Sequence, residues 1–253
     1  MQPDRSGFGP PAGNIEKSTS MASDADPQPM SRTVAILYSL GLPLGLIALV
    51  FLPAGRTDWL PGWMFIAVLV AAFSLSALVL ARLNPVIFRA RSRFQPGTKR
   101  WDLILVTAIL LAFAAEIPVA TFDAARMEWS IMPPWIIAVG YILLVGGIAV
   151  TAWAQAVNPF FEPGVRIQSE RGQHVITSGP YGIVRHPGYT AAIAMFAGIP
   201  LALASWVALF PAALAIVLLI LRTGLEDRLL QAELPGYADY ARERRYRLFP
   251  GIW

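Results

Sequence analysis

The chain has no cysteine and only two histidines, His174 and His186. Disulfides, thiolate catalysis and cysteine metal sites are therefore excluded. A histidine-based metal site is disfavoured, because such sites draw three or four ligands from these residue types. Charge is scarce as well. Asp, Glu, Lys and Arg make up 14% of the residues, whereas 56% are hydrophobic. A soluble domain carries roughly a quarter charged residues. The deficit fits a protein whose solvent is mostly lipid. The net charge of +4 is modest, and its placement says more than its total.

Residues 1–30 are rich in Pro, Gly, Ser, Asp and Gln and lack apolar periodicity. They read as a disordered tail without the apolar stretch of a signal peptide. Four long apolar runs follow, Thr33–Leu52, Leu60–Leu83, Leu103–Phe122 and Pro134–Val157. Each is near the ~20 residues that cross the hydrocarbon as a helix. A fifth run, Thr190–Leu221, is too long for one upright crossing and is interrupted by Pro200, Ser205 and Pro211. It reads as a helical hairpin turning near Ala204–Trp206, with two short arms of about 16 residues each. A five-crossing chain with one bent helix is the structural rival.

Basic residues test the count. Arg89, Arg91, Arg93, Lys99 and Arg100 lie between the second and third runs. Arg166, Arg171 and Arg185 precede the hairpin, and Arg228, Arg242, Arg244, Arg245 and Arg247 follow it. The loops of the other side offer only Arg56 and Arg126. Six crossings put every basic segment on one side, which the positive-inside rule makes cytoplasmic, with both termini. Trp59, Trp63, Trp101, Trp129 and Trp135 fall at the expected interfaces, as anchors do. The expected fold is therefore all-α, a multi-pass transmembrane bundle whose fifth and sixth crossings form a hairpin. Residues 31–157 would form a four-helix region. Residues 158–253 would hold the hairpin and a cytoplasmic C-terminal helical region.

Two polar clusters bracket the hairpin. The first, Ser178–Tyr189, reads SGPYGIVRHPGY. Its prolines and glycines mark turns and let backbone approach a ligand, while Arg185 and His186 present donors. The second, Arg222–Asp227, reads RTGLED. Arg222 and Glu226 are spaced i,i+4 and share a helix face. Spacing alone leaves open a local ion pair or a Glu226 offered to a cationic ligand. Polar groups at membrane helix ends are costly and usually have a purpose. The hairpin returns both clusters to one face. Glu116, inside the third run, reads as structural because it lies toward the other end. The tail ELPGYADYARERRYRLFPGIW alternates basic and aromatic residues. Beside so many crossings its partner is expected to be lipid headgroups, not nucleic acid. Tyr237 and Tyr240, spaced i,i+3, could cover a pocket or pack on the membrane domain.

In the order GPYGIVRHPGY, apolar hairpin, RTGLED, GYADY and RLFPGIW, the chain resembles the integral-membrane methyltransferases. These include the isoprenylcysteine carboxyl methyltransferases and the phospholipid methyltransferases. The upstream NPVIFRARSRFQPGTKRWD and NPFFEPGVRIQSERGQHVITSGPY are similar to bacterial members of the isoprenylcysteine-type branch. The resemblance covers Asn84–Trp253 and implies S-adenosylmethionine as methyl donor and a lipophilic or lipid acceptor at the cytoplasmic membrane face. It implies cofactor contacts at Gln173, His174, Val175, Ile176, Tyr181, His186, Pro187, Gly188, Tyr189 and Glu226. Arg222 matches the arginine assigned to the acceptor, and Arg185 stands with it as a catalytic candidate. The usual Glu-Glu pair is Glu226-Asp227 here. The rival readings are an NADPH-dependent reductase of the sterol-reductase type and a catalytically silent protein of the same fold. The reductase pattern has Asn before the tyrosine and Gly-Glu after it, where this chain has Gly188 and Thr190-Ala191.

Overall fold

A computed structural model describes residues 32–92 and 94–253, with side chains from residue 43 onward. The expected N-terminal tail lies outside the described residues. Within them the chain is all helix and loop. Helix α1 spans Arg32–Ala54 and α2 spans Leu60–Leu83. A short α3 covers Val86–Ala90, and α4 runs from Arg100 to Thr121. Helix α5 is Pro134–Val157, α6 is Pro187–Ala202, α7 is Leu209–Glu233 and α8 is Tyr237–Glu243. Four helices are long and apolar enough to cross a membrane: α2, α4 with its π-helical extension, α5 and α7. The rest of the bundle adds shorter apolar helices, among them α6. The multi-pass helical bundle read from the runs is thus observed.

Local chemistry explains the boundaries. Pro61 and Pro134 stand in the first turns of α2 and α5, where no backbone donor is needed. Pro118 sits inside α4, and the following turn, Phe122–Met127, loosens into a π-helix that stops at left-handed Glu128. The hairpin turns where expected. Helix α6 ends at Ala202 and α7 begins at Leu209, with Ala204 at φ 60°. Pro211 falls in the first turn of α7 and does not break it. One expectation is corrected. The returning arm is no short helix but runs 25 residues, so RTGLED lies on an unbroken continuation of it.

Helices α5 and α6 meet backbone to backbone. A Cβ placed on Gly140 would lie 2.3 Å from the amide nitrogen of Ala202. One on Gly198 would lie 2.7 Å from that of Leu144, and one on Gly147 2.7 Å from the carbonyl of Ala191. Small residues at such crossings let membrane helices gain dispersion contact where lipid offers no hydrophobic drive. The central core gathers Val50, Phe65, Leu144, Ile199 and Leu203. A second cluster, with Ile109, Phe196 and Leu219, joins α4, α6 and α7.

Polar groups separate to the two ends. At one end the α2–α4 and α5–α6 connections meet the C-terminal half of α7. At the other, Gly55 approaches Arg126, and Asp123 of the π-helical turn accepts from Ser130 (2.6 Å) and Ser205. Trp63, Trp129 and Trp135 stay exposed near helix ends, as interfacial anchors would.

Candidate functional site

All twelve residues singled out from the sequence line one cavity. It holds about 850 Å³ including its open mouth. The loop after α5 supplies Gln173, His174, Val175 and Ile176, and a 3₁₀ turn supplies Tyr181. Arg185 and His186 precede α6, whose first turn supplies Pro187, Gly188 and Tyr189. Helix α7 contributes Arg222 and Glu226, and α8 closes the wall with Tyr237 and Tyr240.

Glu226 is half-buried, and its Oε2 accepts a short hydrogen bond from the Tyr189 hydroxyl. Among the described residues its Oε1 has no partner. The local ion pair that i,i+4 spacing allowed with Arg222 does not form. Arg222 instead turns to Asp102 at the N-terminal end of α4. Its Nε donates to Asp102 Oδ1 at 2.6 Å and its Nη2 to Oδ2 at 3.1 Å. Nη2 also donates to the Pro163 carbonyl at 2.7 Å. Asp102 Oδ2 accepts from the Val165 amide at 2.7 Å, which ties the loop after α5 to the same carboxylate. The guanidinium lies 5.3 Å from the Tyr189 ring centroid. Its Nη1 makes no hydrogen bond among the described residues.

Arg185 requires a correction. It was expected to present donors to a ligand, but every nitrogen of its guanidinium is engaged by protein. Nε and Nη2 grip Asp227 at 2.8 and 2.9 Å. Nη1 reaches the carbonyls of Arg244 at 2.7 Å and Arg245 at 3.0 Å. Arg185 therefore positions the wall and offers it no free donor. Asp227, which is fully buried, is the centre of this network. It also accepts from Arg247 Nε (2.8 Å), Gln231 Nε2 (2.8 Å) and the Tyr237 hydroxyl (3.1 Å). His186 Nε2 lies 3.2 Å from the same carboxylate, and its ring stacks on Tyr189 with centroids 5.6 Å apart.

The C-terminal tail folds back on the site and is not given over to lipid alone. The amides of Arg185 and His186 donate to the carbonyls of Tyr246 and Arg247, at 3.0 and 2.9 Å. Thr190 donates to the Leu248 carbonyl at 2.7 Å. The side chains of Arg242, Arg244 and Arg245 remain exposed.

The opposite wall is stiffened by Glu162, which accepts two bonds from Arg166 (2.7 and 2.9 Å) and one from Arg171 (3.2 Å). Gln173 is partly occupied by the fold, since its Oε1 accepts from the Gln168 amide. His174 stands edge-on to Phe160, with ring centroids 5.1 Å apart. Tyr181 accepts from Asn158 at 2.8 Å, and its carbonyl accepts from Tyr240 at 2.7 Å. Burial raises the phenol of Tyr240 to about 12 and those of Tyr181 and Tyr237 further. All three stay protonated near neutral pH and serve as walls and donors, not as bases. Among the described residues no three His, Cys, Asp or Glu side chains gather as metal ligands do.

Sequence reasoning missed Asp102, Glu162 and the central part of Asp227. Asp102 carried a weak signal, being an acid in the first turn of a helix, where the dipole favours it. Its partner lies 120 residues away.

Comparison with known proteins fits this geometry. The phospholipid methyltransferase family model matches residues 135–234, which run from α5 through the end of α7. The resemblance to membrane methyltransferases is borne out over that segment, and it supports methyltransferase chemistry in a multi-pass membrane protein. No match is found among the curated proteins.

Proposed function

We propose that this protein transfers a methyl group from S-adenosylmethionine to a lipophilic acceptor at the cytoplasmic face of a membrane. One observation carries the reading: residues 173–189 and the Arg222–Glu226 turn, far apart in sequence, form one cavity at the basic end of a helical bundle. The cavity suits the donor. Glu226 keeps one carboxylate oxygen uncommitted for an ammonium group, and Tyr181, Tyr237 and Phe160 offer flat walls to a purine. When bound, S-adenosylmethionine supplies an electrophilic methyl group on a sulfonium.

The chain's own share is placement and dryness. In-line displacement at carbon gains most from holding the reactants in line. His186, Pro187 and Gly188 make a rigid turn at the start of α6, locked by the Asp227 network. Phe161 packs on Gly188 so closely that a Cβ there would lie 2.6 Å from its ring, which leaves no room for water between them. Arg222 holds a fixed cation toward the membrane side of Glu226, where the polar end of a lipophilic acceptor would lie. The basic connections at this end favour a cytoplasmic orientation for it and for both termini.

Replacing Glu226 with Gln keeps shape and removes charge. A hydrogen bond to a charged group contributes about 1.5–3 kcal/mol. Affinity for S-adenosylmethionine, measured by titration of the detergent-solubilised chain, should fall on the order of 10–100-fold. Equal affinity in the variant, or binding of NADPH in place of S-adenosylmethionine by the unsubstituted chain, would defeat the proposal.

A further inference from the structure

Arg91 has no place in the site as described so far. It follows α3, in the loop between α2 and α4, and makes no side-chain hydrogen bond or ion pair among the described residues. The arginines of the cavity wall are each matched by a carboxylate: Arg166 by Glu162, Arg185 by Asp227 and Arg222 by Asp102. Arg91 instead lays its guanidinium over the ring of Phe161, 5.1 Å from the centroid. Phe161 is part of the cavity wall and packs against Gly188, next to Tyr189, over which Arg222 lies. Two guanidiniums thus cover neighbouring aromatic rings at one edge of the cavity.

The residue as a whole is exposed, but its charged end is crowded by protein. That burial pulls its pKa below the ordinary arginine value; the Tyr189 phenol opposes the shift and the charge of Arg222 adds to it. A crowded cation without an anion is costly. The charge of Arg222, which Asp102 already pairs, adds to that cost, and an anion bound by both guanidiniums would offset it. The segment leading to Arg91 is apolar and exposed: Leu83 ends the membrane-length α2, and Val86 and Phe88 of α3 follow it.

We infer that Arg91 is a second cationic contact, paired with the free Nη1 of Arg222, for the anionic end of a lipophilic acceptor entering from the membrane. The inference rests on the methyl-transfer reading for the word acceptor, but the anion contact itself does not. The cofactor's carboxylate is the competing anion. Binding of S-adenosylmethionine by the Arg91 variants tells the two anions apart.

The test uses the full chain in nonionic micelles and two fluorescent probes of one chain length, an alkyl phosphate and the matching alkyl alcohol. Arg91→Gln should bind the phosphate about tenfold more weakly, as loss of one charge-assisted contact implies. It should bind the alcohol and S-adenosylmethionine as the unsubstituted chain does. Arg91→Lys keeps the charge and loses the planar fork, so it should fall between the two. Equal loss for phosphate and alcohol would overturn the inference, as would phosphate binding unchanged in Arg91→Lys and Arg91→Gln alike. A loss confined to S-adenosylmethionine would move Arg91 to the cofactor and overturn it too. An unsubstituted chain that ignores S-adenosylmethionine but binds the phosphate through Arg91 would defeat the methyl-transfer reading while upholding the anion contact.

Discussion

Two groups of buried acids stand at opposite ends of the bundle, and they are treated very differently. Asp227, at the cavity end, accepts from Arg185, Arg247, Gln231 and Tyr237 and lies beside His186. Asp102 holds Arg222 and the Val165 amide. At the other end Asp123 meets only hydroxyls on one oxygen, and its Oδ1 has no partner among the described residues. Glu116, seven residues earlier on the same helix face, has none on either oxygen. Cations drawn from several segments neutralise the first group, and among the described residues none reaches the second. A buried charge is retained cheaply only when matched. The cavity end is therefore the part whose arrangement depends on charge, and the opposite end keeps its shape by packing and hydroxyl bonds.

That contrast can be broken by substitution. Asp227→Asn should do the most damage. It strands two arginines, and breaking a buried pair costs about 3–5 kcal/mol. The thermal midpoint in detergent should drop steeply, and cofactor binding should go with it. A midpoint unchanged from the parent would mean that the network is decoration.

Asp102→Asn should be milder. One arginine is stranded rather than two, and Arg222 keeps the Pro163 carbonyl, so the loss should lie near the low end of that range, about 3 kcal/mol. Methyl transfer should fall while S-adenosylmethionine affinity stays within about threefold, because Glu226 is untouched. A cofactor affinity that drops as far as turnover would show that Arg222 serves the donor and not the acceptor.

Glu116→Gln should do the least. The amide is an uncharged isostere, and no hydrogen bond is lost. Stability should change by less than about 1 kcal/mol. A large loss in the melting midpoint would reveal a cationic partner and erase the difference between the two ends.

Much of the architecture was legible because lipid enforces it. Apolar runs of crossing length become helices, and the boundaries of α2 and α5 follow from Pro61, Pro134 and the polar residues around them. The hairpin turn was legible for the same reason, since Pro200 and Ser205 interrupt an otherwise continuous run. The cavity's membership was legible through the order of its motifs. What each charged side chain does there was not. Arg222 and Glu226 look like mutual partners at i,i+4, yet one faces Asp102 and the other Tyr189. Arg185 looks like a free donor, yet Asp227 and the tail's carbonyls occupy it. Such choices depend on which segments converge in space, and no local pattern records a pairing across 120 residues. The reach of α7 was misjudged because hydropathy marks where lipid ends and not where a helix does.

The glycine contact between α5 and α6 has a mechanical consequence. With Gly140 and Gly198 in backbone contact, the two helices act as one stiff rod pair with no slack between them. His186, at the start of α6, lies about twelve residues from Gly198, or roughly 18 Å at the helical rise. A single methyl group added at Gly198 would wedge the pair apart deep in the bilayer, and the displacement would be carried along the rod to the cavity wall. By the same leverage, α6 has little freedom to swing aside when a ligand enters. Freedom to admit a ligand is then left to the loop of residues 158–186, which is held by separate ion pairs and by single backbone hydrogen bonds to Lys99, Tyr246 and Arg247, and these can be unfastened one at a time.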